Sequence, residues 1–371
     1  MANLFYKLTQ DIKEGKIRKI GIIMGGGIGN IITFTPMLKK ISKKFPYSKI
    51  AIIGGGAEIT REVLKKYPHP IDVIELSRNM PFLKFISTLK EFRHEGFDLL
   101  LVPGGFTQNI RTRSASIKAA IFSFLSGAKY RIGNEGEPLS FLSNVKVTAS
   151  GKSAKEIYLS MLKELSIDVN ENDKGVEVFF DFSKSDKTIE ETFAREQLSK
   201  EKLLIVFHVS AGKLCNTKQW LTERWAKLAK ILIEKHSALI LFIGTGSDSF
   251  EVQNILNLME CESYGYNFTG KLSLAETASL LKKSHLLVCT NSGPMHIGAA
   301  LYIPTVAISG ASPPEWDPPY KHVITIRKEI CHLFCSAISC KRGDHICMTS
   351  ITVEDVLEAV EKQLKTISVE L

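Results

Sequence analysis

The chain lacks any apolar run near the roughly 18–20 residues that a membrane-spanning helix needs, which sets aside a bundle of membrane helices. Cysteine is scarce, seven residues in 371, too few for a disulfide scaffold. A secretory apolar stretch is missing as well. Met1-Ala2-Asn3-Leu4-Phe5-Tyr6 runs directly into Lys7, Asp11, Lys13 and Glu14, so the expectation is a protein that stays in the cytoplasm. Two phosphate-binding signatures are also absent. No frame of Gly25-Gly26-Gly27-Ile28-Gly29-Asn30 gives G-x-G-x-x-G, which disfavours a dinucleotide oxidoreductase, and G-x-x-x-x-G-K-[ST] does not occur.

What is present is ordinary in bulk and unusual in distribution. Apolar residues make up 44% and charged residues 23%, values of a globular protein. At this length two domains are expected. The formal net charge is +9, but residues 1–150 hold 23 Lys/Arg against 11 Asp/Glu, while the remainder holds 25 against 28. The positive excess therefore lies wholly in the first part. That balance suits an acidic partner, whether nucleic acid, anionic lipid headgroups or a phosphorylated acceptor.

Strand and helix patterns alternate along the chain. Strands are expected at 17–24, 49–53, 71–76 and 98–102, with helical spacing over 31–44, 58–66 and 82–95. The alternation falters over the polar stretch 169–186. It then resumes with strands at 203–208, 238–243, 286–289 and 305–309 and helices at 222–235, 249–259 and 273–283. Such alternation means βαβ units and parallel sheets. The fold class is α/β, in two successive domains at 1–172 and 173–371, with ligands at the carboxyl ends of strands.

The most informative segment is Thr290-Asn291-Ser292-Gly293-Pro294-Met295-His296. A strand ends, a Ser-Gly turn follows, and a helix begins. Ser292 is placed to cap that helix and Pro294 suits its first position. Free N–H groups at a helix start attract phosphate, so a phosphorylated ligand is expected beside His296. Other strands end in similar loops. His208-Val209-Ser210-Ala211-Gly212-Lys213 leads to Lys218-Gln219-Trp220, where a lysine can pair with phosphate as a point charge. Trp220 and Trp225 read as core packing. Gly244-Thr245-Gly246-Ser247-Asp248, with Glu251, offers carboxylates either to ribose hydroxyls or to a helix cap. The cluster at 25–29 is either a turn needing positive φ or a surface that a ligand approaches closely. Near the end, Cys331, Cys335, Cys340 and Cys347 lie within 17 positions, with His332 and His345 among them. They are either buried thiols or ligands of a structural zinc or iron, although the spacing lacks a paired C-x₂-C.

Together these segments resemble the ADP-heptose:lipopolysaccharide heptosyltransferases, glycosyltransferase family 9. The likeness rests on His208 to Gly212 with Lys218-Gln219-Trp220, on Phe268-Thr269-Gly270-Lys271-Leu272-Ser273-Leu274, and on Ser292-Gly293-Pro294-Met295-His296 with Ala299-Ala300-Leu301 and Pro304-Thr305-Val306. It extends to Cys347-Met348 with Ile351 and, earlier, to Gly27-Ile28-Gly29-Asn30, Thr35-Pro36-Met37-Leu38, Phe45-Pro46, Arg113-Ser114 and Arg131-Ile132-Gly133.

The resemblance implies a GT-B fold, two Rossmann-like domains with parallel sheets facing across a cleft. It implies metal-independent, inverting transfer of a heptose or related sugar from an ADP-sugar, with no cofactor required for catalysis. The acceptor would be the anionic inner core of lipopolysaccharide, with no role for nucleic acid, and the location cytoplasmic or peripheral on the inner face of the cytoplasmic membrane. The alternative is a transferase using another sugar nucleotide or a protein acceptor, since family members that modify autotransporter proteins carry an iron-binding Cys cluster. Donor binding would fall to Ser210, Lys218, Asp248, Glu251, Asn291, Ser292, Gly293, Pro294 and His296. Lys218 and His296 would also serve catalysis. Acceptor contacts would come from Gly29, Asn30, Arg111, Arg113 and Arg131. The chain departs from the family at two places. Asn30 stands where the family commonly has the aspartate thought to act as base, and Asn291 stands where many members have aspartate. An amide cannot take a proton at neutral pH, so a non-catalytic nucleotide-sugar binder is a further reading.

Overall fold

The computed structural model describes all residues except 1, 78–79, 104–109, 149, 152, 171–174, 199–201, 211–215, 311, 332–338 and 371. Two compact units divide at residue 179, Met1–Phe179 and Phe180–Leu371. The division lies inside the polar stretch but beyond the expected boundary at 172. Residues 177–179 are bonded to the first unit, through Glu177 N–H to Thr35 Oγ1 at 3.0 Å, Phe179 N–H to the Val63 carbonyl at 2.9 Å, and Lys66 N–H to the Phe179 carbonyl at 2.7 Å.

The first unit carries six parallel strands, β1 (Lys19–Ile23), β2 (Lys49–Gly54), β3 (Ile71–Glu75), β4 (Leu99–Val102), β5 (Tyr130–Asn134) and β6 (Val145–Val147), in the order β3-β2-β1-β4-β5-β6. The second repeats that plan with β7 (Leu204–His208), β8 (Leu239–Phe242), β9 (Gly265–Asn267), β10 (Leu286–Thr290), β11 (Thr305–Ile308) and β12 (Val323–Ile326), in the order β12-β11-β10-β7-β8-β9. Each is the doubly wound Rossmann arrangement. Its strand order reverses at β1/β4 and at β7/β10, and a ligand crevice opens outside the carboxyl ends at such a reversal.

The strands read as apolar runs because both faces are covered. Leu99–Val102, Leu204–His208 and Leu286–Thr290 are buried throughout. On one face of the first sheet, helices Phe82–Glu95 and Ile110–Leu125 contribute Phe92 and Phe122, with ring centroids 5.2 Å apart. Helices Ile28–Lys44 and Ala154–Ser160 meet through Phe34 and Tyr158, edge-on at 5.6 Å. Pro36 lies inside the first of these. Its missing N–H would have bonded the Ile32 carbonyl, and the Thr35 hydroxyl donates to that oxygen instead, at 2.7 Å. In the second unit, Trp225, Leu228 and Leu232 of helix Thr222–His236 pack with Val356 and Val360 of the terminal helix Val353–Glu370.

Two expectations need correction. Helix Phe182–Arg195 starts within the polar stretch read as a break, because Ser185, Ile189, Thr192 and Phe193 bury one face of it. The glycine cluster after β1 is not a positive-φ turn, since of Gly25, Gly26, Gly27, Gly29, Gly54, Gly55 and Gly56 only Gly56 has positive φ, +73°. The cluster instead packs backbone on backbone against the loop after β2. A Cβ on Gly26 would stand 1.2 Å from the Gly55 carbonyl oxygen, and one on Gly54 would stand 2.1 Å from that of Met24. Gly26→Ala therefore forces two loops apart. The expected cost is about 1–3 kcal/mol, read as a lower urea midpoint at unchanged m value; an unaltered midpoint would refute the close approach. Among the described residues no helix is long and apolar enough to cross a membrane.

Candidate functional site

At the reversal of the second sheet, β7 and β10 run side by side with His208 level with Cys289. Their carboxyl ends bring the two separate sequence motifs together. The His208 Nδ1 and the Ser292 hydroxyl oxygen are 3.0 Å apart, and that hydroxyl also donates to the Thr290 carbonyl at 3.0 Å. With its one proton directed at Thr290, Ser292 accepts from His208 Nδ1–H, which fixes the imidazole tautomer. Ser292 occupies the cap position of helix Gly293–Ala300 but makes no side-chain cap bond. This corrects the expected cap. The helix also begins at Gly293, so Pro294 stands second rather than first. The result is a helix start with its N–H groups left for another acceptor.

Lys218 ends a short turn, Asn216–Lys218, and its Nζ lies 3.4 Å from the Asn291 carbonyl oxygen. Trp220, two residues on, fixes this segment, because its indole N–H donates to the Ile351 carbonyl at 2.8 Å and its ring meets Trp225 edge-on at 5.2 Å. Both tryptophans are core residues, as their type suggested. Arg224 donates to the same Ile351 carbonyl and to that of Thr349. The segment Cys347-Met348 with Ile351 thus has a structural purpose, since it holds the lysine turn.

His208 and His296 are both buried, and burial pushes each down to about 4. Lys218 lowers His296 further, while Asp248 opposes the fall at His208. Both rings are neutral at pH 7. Among the described residues, positive charge at this site comes from Lys218 and the helix start, and His296 is neutral.

Asn291 is fully engaged. Its side-chain N–H groups donate to Asp317 Oδ1 at 2.8 Å and Ser309 Oγ at 3.2 Å, and its Oδ1 accepts from the Ser312 hydroxyl at 3.1 Å. Arg327 closes the network through Asp317 Oδ2 and Ser309 Oγ, each at 2.8 Å, and the Ser312 carbonyl at 2.6 Å. The Asp317 carboxyl is still raised, because burial outweighs Arg327. Asp317, Arg327, Ser309 and Ser312 had not been singled out in the sequence. The acid in Pro313-Pro314-Glu315-Trp316-Asp317 was a visible signal, but nothing local tied it to Asn291.

The remaining donor candidates are less free. Ser210 is buried, and its carbonyl accepts from the Thr290 hydroxyl at 2.9 Å. Asp248 is buried and caps, its Oδ2 accepting from Thr245 N–H at 2.7 Å and from the Thr245 hydroxyl at 2.8 Å. Glu251 accepts from the Thr222 hydroxyl. The Thr245–Asp248 bonds close the short turn Gly246–Asp248; the helix that follows, Ser249–Met259, receives no side-chain cap bond from Asp248.

In the first unit, Gly29 and Asn30 open helix Ile28–Lys44 at the carboxyl end of β1, with Asn30 half-buried beside Gly25. Arg131 is not brought to them. It is the second residue of β5, near the strand's amino end, and donates to the Ala128 carbonyl at 2.9 Å and the Leu142 carbonyl at 3.3 Å. Arg111 and Arg113 belong to helix Ile110–Leu125, but their side chains lie outside the described residues. Cys335 and His332 also lie outside them. Cys331, Cys340 and Cys347 pack against the core of the second unit, and among the described residues no group of three His, Cys, Asp or Glu is placed to hold a metal. Among the described residues the expected structural zinc or iron is unsupported; there Cys347 is buried and Cys331 and Cys340 are half-buried against the apolar core.

Residues 106–343 match the model of glycosyltransferase family 9 (heptosyltransferase). The chain is 27% identical over 262 residues to lipopolysaccharide heptosyltransferase 2 of Escherichia coli K12, covering 67% of this chain and 73% of that one. The crystal structure of a family 9 glycosyl transferase from Veillonella parvula superposes with a TM-score of 0.76 at 22% identity, covering 94% of this chain and 98% of the other. The E. coli heptosyltransferase WaaC with ADP-2-deoxy-2-fluoro heptose superposes with a TM-score of 0.65 at 16% identity, covering 93% and 99%. With two Rossmann-like units of the GT-B class and a family match over most of its length, the chain belongs to glycosyltransferase family 9, the heptosyltransferases, and is a glycosyltransferase.

Proposed function

We propose that the chain transfers a heptose from ADP-heptose to the phosphorylated inner core of lipopolysaccharide, in one inverting displacement that requires no metal. The observation that carries this reading is the uncapped helix start at Gly293 beside Lys218, at the strand-order reversal of the second sheet. A departing diphosphate gathers negative charge, and donors already in place stabilise it without reorganising. WaaC, a relative in fold, was solved with an ADP-heptose analogue, and the E. coli relative in sequence acts on lipopolysaccharide by its name. The first unit supplies the acceptor side. Its surplus of positive charge, 23 Lys/Arg against 11 Asp/Glu in residues 1–150, suits an anionic glycolipid at the inner face of the cytoplasmic membrane.

Calorimetry with ADP-heptose, UDP-sugars and NAD, followed by transfer to heptose-deficient lipopolysaccharide in EDTA, tests the proposal. Micromolar ADP-heptose binding and transfer unaffected by EDTA are expected, with the new linkage of opposite anomeric configuration. Binding of NAD alone would sink the reading. Donor binding without transfer would leave a nucleotide-sugar binder, and transfer to a protein but not to glycolipid would replace the acceptor.

A further inference from the structure

The glycolipid acceptor proposed above is anchored in a bilayer, and the first unit carries a surface suited to meet one. Helix Phe82–Glu95 starts beyond the carboxyl end of β3. Phe85, Leu89 and Phe92 recur at helical spacing and pack into the core, with the Phe85 ring edge-on to Phe122 at 5.9 Å. Phe82 continues that stripe one turn past the core and is 75% exposed. Leu83 has no part in the stripe. It shares the outer face with the exposed Ser87 and Lys90 and is itself 82% exposed. A single exposed apolar residue needs no explanation, but core packing uses neither member of this adjacent pair.

The charge around the pair is of one sign. From Met80 to Lys90 the sequence holds Lys84 and Lys90, both exposed, and no acid. Two-fold pairing of this surface with a second copy would set like charges together, whereas an anionic lipid surface attracts them. The pair also lies on the edge of the sheet that carries Asn30. The turn leading into the helix, closed by Met80 N–H to the Ser77 carbonyl at 3.3 Å, abuts the loop after β2, where a Cβ on Gly55 would stand 3.6 Å from Ser77 Cα. That loop packs on the glycine cluster after β1, and a Cβ on Gly25 would stand 2.4 Å from Asn30 Nδ2. One continuous rim thus runs along the carboxyl ends of β1, β2 and β3, from Asn30 to the start of the helix.

We propose that Phe82 and Leu83 insert into the interfacial layer of an anionic bilayer, with Lys84 and Lys90 on its phosphate headgroups, so that the rim meets the acceptor where it is embedded. This rests on the transferase reading for the identity of the acceptor. Apolar burial and headgroup attraction act together in such contacts, and a lysine stem lets the ammonium stay among the headgroups while the apolar side chains sit deeper.

The test is sedimentation of the full chain with vesicles of phosphatidylcholine, with and without phosphatidylglycerol. Wild type is compared with Lys84→Glu and with a double variant, Phe82→Ser plus Leu83→Ser, and melting temperatures are taken for all three. Wild type should bind the anionic vesicles, less as salt rises. The double variant and Lys84→Glu should each bind roughly tenfold more weakly or worse, with melting temperatures unchanged because these side chains face solvent. In a Phe82→Trp protein the added emission should be quenched by brominated acyl chains. Transfer to heptose-deficient lipopolysaccharide embedded in anionic vesicles should fall with binding, and transfer to the deacylated, water-soluble core should not. A wild type that ignores anionic vesicles, or a double variant that binds them equally well, overturns the docking surface. Equal loss of transfer to both acceptors also overturns it, in favour of a role in folding or in the sugar site, as does self-association of wild type that the double variant loses without any vesicle binding. Vesicle binding that depends on the pair, with no transfer by wild type to either acceptor, overturns the transferase reading and leaves the docking surface standing.

Discussion

Asn291→Asp is expected to cripple the protein, although it restores the residue that many family members carry. In this chain the Asn291 amide donates to the Asp317 carboxylate at 2.8 Å. An aspartate would set two carboxylates face to face and remove the donor. Arg327 is one cation, already shared among Asp317, Ser309 and two carbonyls, and burial alone keeps the Asp317 carboxyl raised. Breaking a buried, paired charge in this way costs about 3–5 kcal/mol, enough to move the loop after β10 and with it Ser292, Gly293 and the Lys218 contact. Like charges so placed push one carboxyl pKa up. The folded state then binds a proton that the unfolded chain gives up, so the variant should be least impaired at acid pH and should lose stability as pH rises through the raised value. Urea unfolding at pH 5 and pH 8 measures this. A variant as stable as wild type at pH 8 would remove the network from the account. The companion change Asp317→Asn, combined with Asn291→Asp, should recover part of the loss by restoring one donor–acceptor pair.

That network shows why the sequence was only half legible at this site. The strand–turn–helix at Thr290–His296 was readable because its cues are local: an apolar run, a serine, a glycine, a proline. The partners of Asn291, Ser309, Ser312 and Asp317, lie between β11 and β12, 18 to 26 residues away, with Arg327 just after β12 bonded to Ser309 and Asp317 in turn, and only the parallel sheet brings them together. For the same reason Asn291 read as a ligand-binding amide, when its side chain is fully used within the protein. Ser292 misled in the opposite way. Its type and place announced a cap, but His208, delivered by the adjacent strand, takes the hydroxyl.

The first unit repeats the lesson. The α/β alternation was plain in strands with both faces buried, such as Leu99–Val102, and nearly every expected strand begins and ends within two residues of its reading. Strands β5, β6, β9 and β12 were missed. They are short, and their burial is broken by Arg131, by Lys146, over the half-buried run Gly265–Asn267 and, in β12, everywhere but Val323. Arg131 shows how a motif without a place in the sheet misassigns a residue. Its neighbours resemble a binding segment, but at the amino end of β5 its guanidinium closes carbonyls. The glycine cluster was seen, and its true purpose needed the second cluster, 25 residues away, against which it packs.

Lys218→Ala is expected to produce the largest catalytic loss at the donor side. Both histidines of the site are neutral, so among the described residues this ammonium is the full positive charge near the helix start proposed to receive the diphosphate. The charge it meets grows as the sugar–phosphate bond breaks, so its interaction is stronger in the transition state than in the bound donor. Removing one such preorganised donor lowers kcat by about 10²–10³-fold, and KM for ADP-heptose should change much less. Lys218→Arg should keep binding and lose part of the rate, because a planar fork cannot sit as a point charge in the same turn. Stability should hardly move, since Lys218 is half-buried at a turn end while Trp220 anchors the segment. A second reading comes from His296. Lys218 helps to depress its pKa to about 4, so the alanine variant should shift that pKa upward, with burial still holding it below the ordinary value. Histidine NMR titration of the two proteins without donor detects this. A kcat within a few-fold of wild type, or an unmoved His296, would place the lysine away from the diphosphate and leave the helix start to stabilise the leaving group alone.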